Sequence, residues 1–283
     1  MPEISAVGVV GAGTMGHGIA QVAAQAGYAT VLYDVAKELA QQGLQRIGEN
    51  LDAGMAKGKV TAEQKAQTLG RLRAVSDLQE LQGCQLVIEA APEDLAVKQK
   101  LFSELSEATG PDAVLASNTS SLSLTEIAAA ADHPERVVGM HFFNPVHVMK
   151  LLELVRAHQT SDGTLAAART AGERMGKQVI VVKDHPGFAS SRLGIALGME
   201  AIRMLEEGVA SAEDIDRAME LGYGHPMGPL KLTDLVGLDV RLAIAEYLYG
   251  ELGNPSFRPP QLLKKMVRAG KLGKKSGEGF YRY

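Results

Sequence analysis

The chain has a single cysteine, Cys84. No intrachain disulfide can form, and a reducing compartment is the simpler setting for such a sequence. Cys84 follows Gly83 and leads into the apolar run Leu86-Val87-Ile88, where a structural thiol at a strand entry is expected rather than a nucleophile. No apolar run approaches the ~20 residues that a membrane-spanning helix needs. Excess positive charge is missing too: 29 Lys and Arg stand against 33 Asp and Glu, a net charge of −4. That balance gives no basic footprint for nucleic acid and no polybasic patch for a membrane surface. The metal patterns HExxH and CxxC are absent, which disfavours metal-assisted hydrolysis. An apolar strand begins within the first ten residues, so no signal or transit segment is expected. The expectation is a cytoplasmic protein with neither a nucleic-acid nor a membrane partner.

What is present is first a glycine fingerprint. The run Val7-Gly8-Val9-Val10-Gly11-Ala12-Gly13-Thr14-Met15-Gly16 reads as a short buried parallel strand entering GxGxxG. Gly11 suits the tight turn, Gly13 lets the backbone approach a pyrophosphate, and Gly16 lets the next helix pack on the sheet. That helix, over 15–26, aims its N-terminal amides and positive dipole end at the phosphates. A second strand over 29–33 ends in Asp34, about 20 residues past the fingerprint. A carboxylate there accepts hydrogen bonds from a ribose 2′-hydroxyl and repels a 2′-phosphate, which favours NAD over NADP. Lys37 lies close by in sequence and leaves residual NADP use open.

With 283 residues, 46% of them hydrophobic and 22% charged, the chain is long enough for two domains with ordinary globular composition. Two helical patterns follow Asp34, over 36–57 and 61–72, the second opened by the capping run Thr61-Ala62-Glu63-Gln64. They predict a helical hairpin at about 36–72 inserted between strands. Strands are then expected over 85–89, 113–116, 136–141, 151–155 and 178–182. Helices are expected over 93–108, 124–131 and 163–175. This alternation predicts a doubly wound, mostly parallel α/β sheet. The texture changes at Lys183-Asp184-His185-Pro186-Gly187. Helical patterns follow over 188–207, 211–221, 229–249 and 260–269, with Gly208 and Gly222 placed as C-terminal caps. We expect a sheet domain over 1–184 and an all-helical domain over 185–283, the latter supplying a homodimer face.

Candidate chemistry lies at the carboxyl ends of predicted strands, where open α/β sheets hold ligands. The segments are Glu89 to Glu93, Ser117 to Ser121, His141 to Pro145, and Glu153. Oxidising a secondary alcohol requires removal of the hydroxyl proton as hydride departs, and a neutral imidazole suits that task near pH 7. His141 with Glu153, twelve residues on, supplies a base and an orienting carboxylate if their strands are neighbours. Ser120 and Asn144 can hydrogen-bond the substrate oxygen and polarise it in the reverse direction.

Together, GAGTMG at 11–16, SNTSS at 117–121, HFFNP at 141–145, the run at 184–188, GHPMGP at 224–229 and GKKSGEGFY at 273–281 carry a resemblance over essentially the whole chain. The sequence resembles the short-chain L-3-hydroxyacyl-CoA dehydrogenases, including the bacterial 3-hydroxybutyryl-CoA dehydrogenases. The resemblance implies a Rossmann-type N-terminal domain, a helical C-terminal dimerisation domain, and an active site in the cleft between them. It also implies reversible oxidation of a 3-hydroxyacyl-CoA to the 3-ketoacyl-CoA with NAD. By position it implies His141 as catalytic base, Glu153 as its acidic partner, Ser120 on the substrate oxygen and Asn144 in the same polar cluster. The fingerprint residues Gly11, Gly13, Thr14, Met15 and Gly16, with Asp34, Glu89, Lys98 and Asn118, correspond to cofactor contacts. The hairpin corresponds to an arm that holds coenzyme A, with Asn50 and Lys57 as its contacts.

One position departs. Where many members carry Val-Asn-Arg, this chain has Ser190-Ser191-Arg192, and Ser191 offers one hydroxyl where asparagine offers a carbonyl and two amide donors. Ser191 is expected to keep the substrate-holding role directly or through a water. Butyryl, longer linear and dicarboxylic adipyl chains all remain open as the acyl group, with Arg192 a candidate cation for a carboxylated tail. A β-hydroxyacid dehydrogenase acting on a non-CoA substrate, and a non-catalytic crystallin-like dinucleotide binder, are the alternatives.

Overall fold

The computed structural model describes residues 3–283. The chain divides into two compact units, one ending at His185 and the next starting at Pro186. The first holds eight strands: β1 (Ala6–Val10), β2 (Ala29–Tyr33), β3 (Leu72–Val75), β4 (Leu86–Glu89), β5 (Val114–Ser117), β6 (Val137–Phe142), β7 (Leu151–Arg156) and β8 (Gln178–Lys183). Its helices are α1 (Gly16–Gln25), α2 (Lys37–Ala56), α3 (Ala62–Leu69), α4 (Leu95–Ala108), α5 (Leu124–Ala128) and α6 (Asp162–Arg174).

The strands form one sheet in the order β3-β2-β1-β4-β5-β6-β7-β8. All pairs from β3 to β6 are parallel, β7 runs antiparallel to β6, and β8 runs parallel to β7. The chain order reverses between β1 and β4, so the loops leaving their carboxyl ends diverge and open a crevice. Val7, Val9, Leu86, Ile88, Val114, Ala116, Val138 and Met140 fill the core with side chains from neighbouring strands. Each of these side chains larger than alanine contributes roughly 1.5–3 kcal/mol on burial.

The glycine fingerprint is a steric requirement here. Gly11 has φ +97°, and a Cβ on it would stand 2.8 Å from the Ala90 carbonyl oxygen. A Cβ on Gly16 would fall 1.6 Å from the Gly11 carbonyl oxygen, so any side chain would push α1 off the turn.

The hairpin is α2 and α3, with Thr61 closing a capping box on Gln64. The expected second helix over 61–72 stops at Leu69, and the chain turns at Gly70 into β3, an edge strand that the sequence reading missed. Its four residues, Leu-Arg-Ala-Val, are too few for a legible alternation.

The second unit is helical: α7 (Ser190–Glu206), α8 (Ala212–Tyr223), α9 (Pro229–Val236), α10 (Leu238–Leu252) and α11 (Gln261–Arg268). Ile195, Met199, Ile202, Leu230, Leu238, Ala245 and Leu248 form its core. The single helix expected over 229–249 is broken at Gly237, whose φ of +108° lies outside the helical range. The left-handed cap of α8 is Gly224 and not Gly222, which lies inside the helix. Among the described residues no helix is long and apolar enough to cross a membrane.

Candidate active site

At the crevice between β1 and β4 a cavity of about 760 Å³ is lined by Gly11, Gly13, Thr14, Met15 and Asp34. A Cβ on Gly13 would meet nothing within 4 Å, so the backbone there faces open space. Met15 places no side-chain cap on α1, which leaves the first-turn amides other than His17 N, which donates to the Gly13 carbonyl, to a ligand. Asp34 Oδ2 accepts from Ala12 N at 2.8 Å and Oδ1 accepts from Val35 N at 2.8 Å. Both bonds pin the carboxylate at the end of β2, where it presents its remaining lone pairs to the cavity. Beside it, Val35 and Val97 line the same space and stand 78% and 44% exposed. Apolar side chains kept bare on a cavity wall suit a flat heterocycle; the sequence reading had not marked them. The pyrophosphate cradle, ribose acceptor and apolar slot fit a dinucleotide.

Glu89 and Lys98 lie deeper than expected of cofactor contacts. They are 0% and 1% exposed, with Lys98 Nζ donating to Glu89 Oε1 at 2.6 Å. The other Glu89 oxygen accepts from Ser117 Oγ at 2.6 Å. These side chains are placed as supports. Lys98 also stands 3.5 Å from Glu93 Oε2. Glu93 Oε1 in turn collects Thr119 Oγ1 at 2.7 Å, Ser120 N at 2.8 Å and Ser120 Oγ at 3.2 Å. Burial acts to raise the Glu93 carboxyl, but the Lys98 ammonium and the bonds from Thr119 and Ser120 overcome it and hold it below the ordinary carboxylate value.

Glu93 falls in a candidate segment of the sequence but is given no role of its own there. An acid just before a helix reads as first-turn decoration, and the signal that could have marked it is Lys98 five residues on, one helical turn inside α4. The Ser120 hydroxyl proton points at Glu93, so its lone pairs remain for a donor such as an alcohol. Asn118 Oδ1 accepts from Phe142 N at 2.9 Å and ties this loop to the end of β6.

His141 and Glu153 are directly opposed in the antiparallel register of β6 and β7. His141 Nδ1 stands 2.8 Å from Glu153 Oε2, with His141 6% and Glu153 0% exposed. A carboxylate at that distance accepts a proton-bearing bond, which places hydrogen on Nδ1 and the basic lone pair of the neutral ring on Nε2. The ring also tilts against Phe143, centroids 4.4 Å apart. Asn144 is exposed on the loop that follows. Asn50, on α2, donates from Nδ2 to Gln21 Oε1 at 3.2 Å, and Lys57 caps the end of α2 exposed to solvent. Ser191 lies partly buried in the first turn of α7, in the second unit.

A dinucleotide cradle and a buried histidine–glutamate pair along the carboxyl edge of one sheet define an NAD-dependent dehydrogenase of the Rossmann type. The chain belongs to the 3-hydroxyacyl-CoA dehydrogenase family: the NAD binding domain of that family matches residues 6–185 and its C-terminal domain residues 187–283. A 3-hydroxybutyryl-CoA dehydrogenase of Mycobacterium tuberculosis is 49% identical over 284 residues, covering 99% of both chains. The 3-hydroxyadipyl-CoA dehydrogenase of Escherichia coli K12 is 43% identical over 99% of this chain and 59% of its own length. The crystal structure of the (S)-3-hydroxybutyryl-CoA dehydrogenase of Ralstonia eutropha superposes with a TM-score of 0.96, at 44% identity and 99% coverage of each chain.

Proposed function

We propose that this chain catalyses the reversible oxidation of a short-chain (S)-3-hydroxyacyl-CoA, such as 3-hydroxybutyryl-CoA, to the 3-ketoacyl-CoA. The observation that carries the reading is the 2.8 Å bond between His141 Nδ1 and Glu153 Oε2 on paired strands of the sheet that holds the glycine cradle. The glycine cradle and Asp34 would hold NAD, which would supply the hydride acceptor for the substrate carbinol carbon. His141 Nε2 takes the hydroxyl proton, and Glu153 stabilises the imidazolium that results. Ser120, held in place by its bond to Glu93, contacts the substrate oxygen, and the single hydroxyl proton is left directed at His141 Nε2. Asn144 completes the polar cluster and Ser191 takes part in holding the substrate. Gly11, Gly13, Thr14, Met15, Gly16 and Asp34 hold the cofactor, with Glu89, Lys98 and Asn118 fixing the loops around it. Asn50 and Lys57 on the hairpin take the coenzyme A moiety.

The test is oxidation of NADH with acetoacetyl-CoA, run beside NADPH and beside acetoacetate. Fast turnover that requires both NADH and the CoA thioester is expected. Equal rates with free acetoacetate would replace this reading by a hydroxyacid dehydrogenase, and binding of NADH without turnover of any thioester would replace it by a binding role. Unchanged kcat and KM in Ser191→Ala would remove Ser191 from the site.

We also propose a homodimer formed through the helical unit. Supporting it, Leu193, Leu221 and Tyr223 stand 71%, 84% and 78% exposed, which is costly in water. Sedimentation at the 30.0 kDa monomer mass would exclude it. A cytoplasmic location is supported by Cys84, a lone buried thiol whose pKa burial pushes up to about 11.

A further inference from the structure

Basic side chains gather around the loop that follows β6. His17, in the first turn of α1, bonds the Gly13 carbonyl through Nδ1 at 2.7 Å. That bond directs Nε2 away from the helix end. The next residue, Gly18, leaves room for Val146: a Cβ there would stand 3.0 Å from Val146 Cβ. His147 follows and is exposed over the same turn of α1. From the other side Lys177 donates through Nζ to the carbonyls of Val146 and Met149 and so fixes this loop, although it is only 8% exposed itself. A cavity of about 330 Å³ beside the loop is lined by His147, Lys150, Arg174 and Lys177 and by no acid.

We propose that His17 and His147 bind phosphate groups of the acyl-CoA alongside Lys57. This rests on the acyl-CoA reading above. Three observations favour it. The ligand proposed for this face is polyanionic, and clustered cations cost free energy unless an anion joins them. The groups near His147 come from every neighbouring element: His17 on α1, Lys57 at the end of α2, Lys150 on its own loop, and Lys177 and Arg174 at the α6–β8 turn. Arg174 is already engaged over the Tyr28 ring at 4.4 Å and Lys177 by two carbonyls, which leaves His17, His147, Lys57 and Lys150 as the phosphate donors.

The cluster carries a pH dependence. Burial, then His17, Lys177 and Lys57, hold the His147 pKa below the ordinary imidazole value, so the free ring is neutral at pH 7. An arriving phosphate reverses that balance and favours the imidazolium. The pKa of the ring is therefore higher in the complex than in the free protein, binding takes up a proton, and affinity rises as pH falls toward 6.

The experiment measures KM for acetoacetyl-CoA and for acetoacetyl-pantetheine, which lacks the phosphates, from pH 6 to pH 8. The proteins are the wild type, His17→Gln and His147→Gln. We expect His147→Gln to raise KM for acetoacetyl-CoA about tenfold at pH 6, as loss of one charge-assisted bond does, and to flatten its pH slope. KM for the pantetheine thioester should not move. Calorimetry with CoA alone, in buffers of different ionisation enthalpy, should register proton uptake in the wild type and not in the variant. Equal loss for both thioesters, or no change in either, overturns the inference while leaving the dehydrogenase reading intact. Weaker NADH binding in the variants would assign the histidines to the dinucleotide instead. Absence of turnover with any thioester in the wild type would overturn both readings together.

Discussion

The two units bury carboxylates in opposite ways. In the sheet unit each meets a side chain that carries or exchanges a proton: Glu89 faces Lys98, and Glu153 faces His141. In the helical unit they are closed off by backbone amides and phenols. Asp216 accepts from Leu230 N at 2.8 Å, Lys231 N at 3.0 Å and Tyr281 Oη at 2.7 Å. Asp234 accepts from Phe280 N and Tyr281 N, each at 2.9 Å, and from Tyr283 Oη at 3.1 Å. Burial and then these carboxylates raise the phenols, Tyr283 to about 12, so they remain donors throughout the working pH range. A carboxylate held by amides and phenols has no proton partner to exchange with and acts as a fastener. The stretches 224–229 and 273–281, which helped to carry the family resemblance, are for the most part the counterparts of these fasteners: Gly228 packs on Asp216 and Gly279 on Asp234 so closely that a Cβ would fall within 2.2 Å and 2.1 Å of them.

Four substitutions break or sharpen the contrast. His141→Gln, which keeps an amide donor for the buried Glu153, should lower kcat by about a thousandfold or more, the range for loss of a general base, with the melting temperature little changed. Asp234→Ala should do the reverse. Leaving Phe280 N, Tyr281 N and Tyr283 Oη without their acceptor should cost about 3 kcal/mol in urea unfolding, while the folded fraction keeps its turnover. A kcat loss in Asp234→Ala that exceeds its loss of folded protein would dissolve the distinction.

Glu93→Gln should lower kcat about tenfold, because Ser120 loses the charged acceptor that orients it. Its acid limb should change as well. The native Glu93 value lies below the 4.5 of the free side chain, so its contribution is complete above pH 4.5 and is lost as pH falls through the native value. Stability of Glu93→Gln should therefore fall less steeply below pH 4.5 than that of the wild type in acid titration followed by circular dichroism.

The smallest effect concerns Arg241, the exception in the helical unit. It is 7% exposed on α10, its Nε has no hydrogen-bond partner, and burial alone lowers it to about 10. Arg241→Met should raise stability by about 1 kcal/mol, since an uncompensated buried cation is exchanged for apolar packing. A lower melting temperature would mean that the guanidinium has a counter-charge in the assembled protein.

The sequence made the cradle legible because Gly11 and Gly16 are dictated by sterics that no other residue satisfies. The His141–Glu153 pair was readable as two chemistries at strand ends, and what joins them, the antiparallel turn-back of β7, leaves no mark in composition. The role of Glu93 escaped notice because it depends on Ser120 and Thr119, 27 and 26 residues away, arriving at the same oxygen. The edge strand β3 and the break at Gly237 were missed for a shared reason: each is set by what the chain packs against, and local periodicity runs past both.

The register of β6 against β7 has a consequence for how this enzyme can diversify. His141 meets Glu153 through a backbone ladder that also pairs Gly139 with Val155, Met140 with Leu154 and Phe142 with Leu152. Burial along nearly the whole of both strands locks that ladder, so the segment 146–150, beyond Phe143 and Asn144, can change length or composition without shifting His141 against Glu153. The proton relay is thus insulated from the loop beside it. Substrate-facing novelty, including the histidine at 147, can be gained or discarded there by insertion and exchange while the reaction itself is inherited intact.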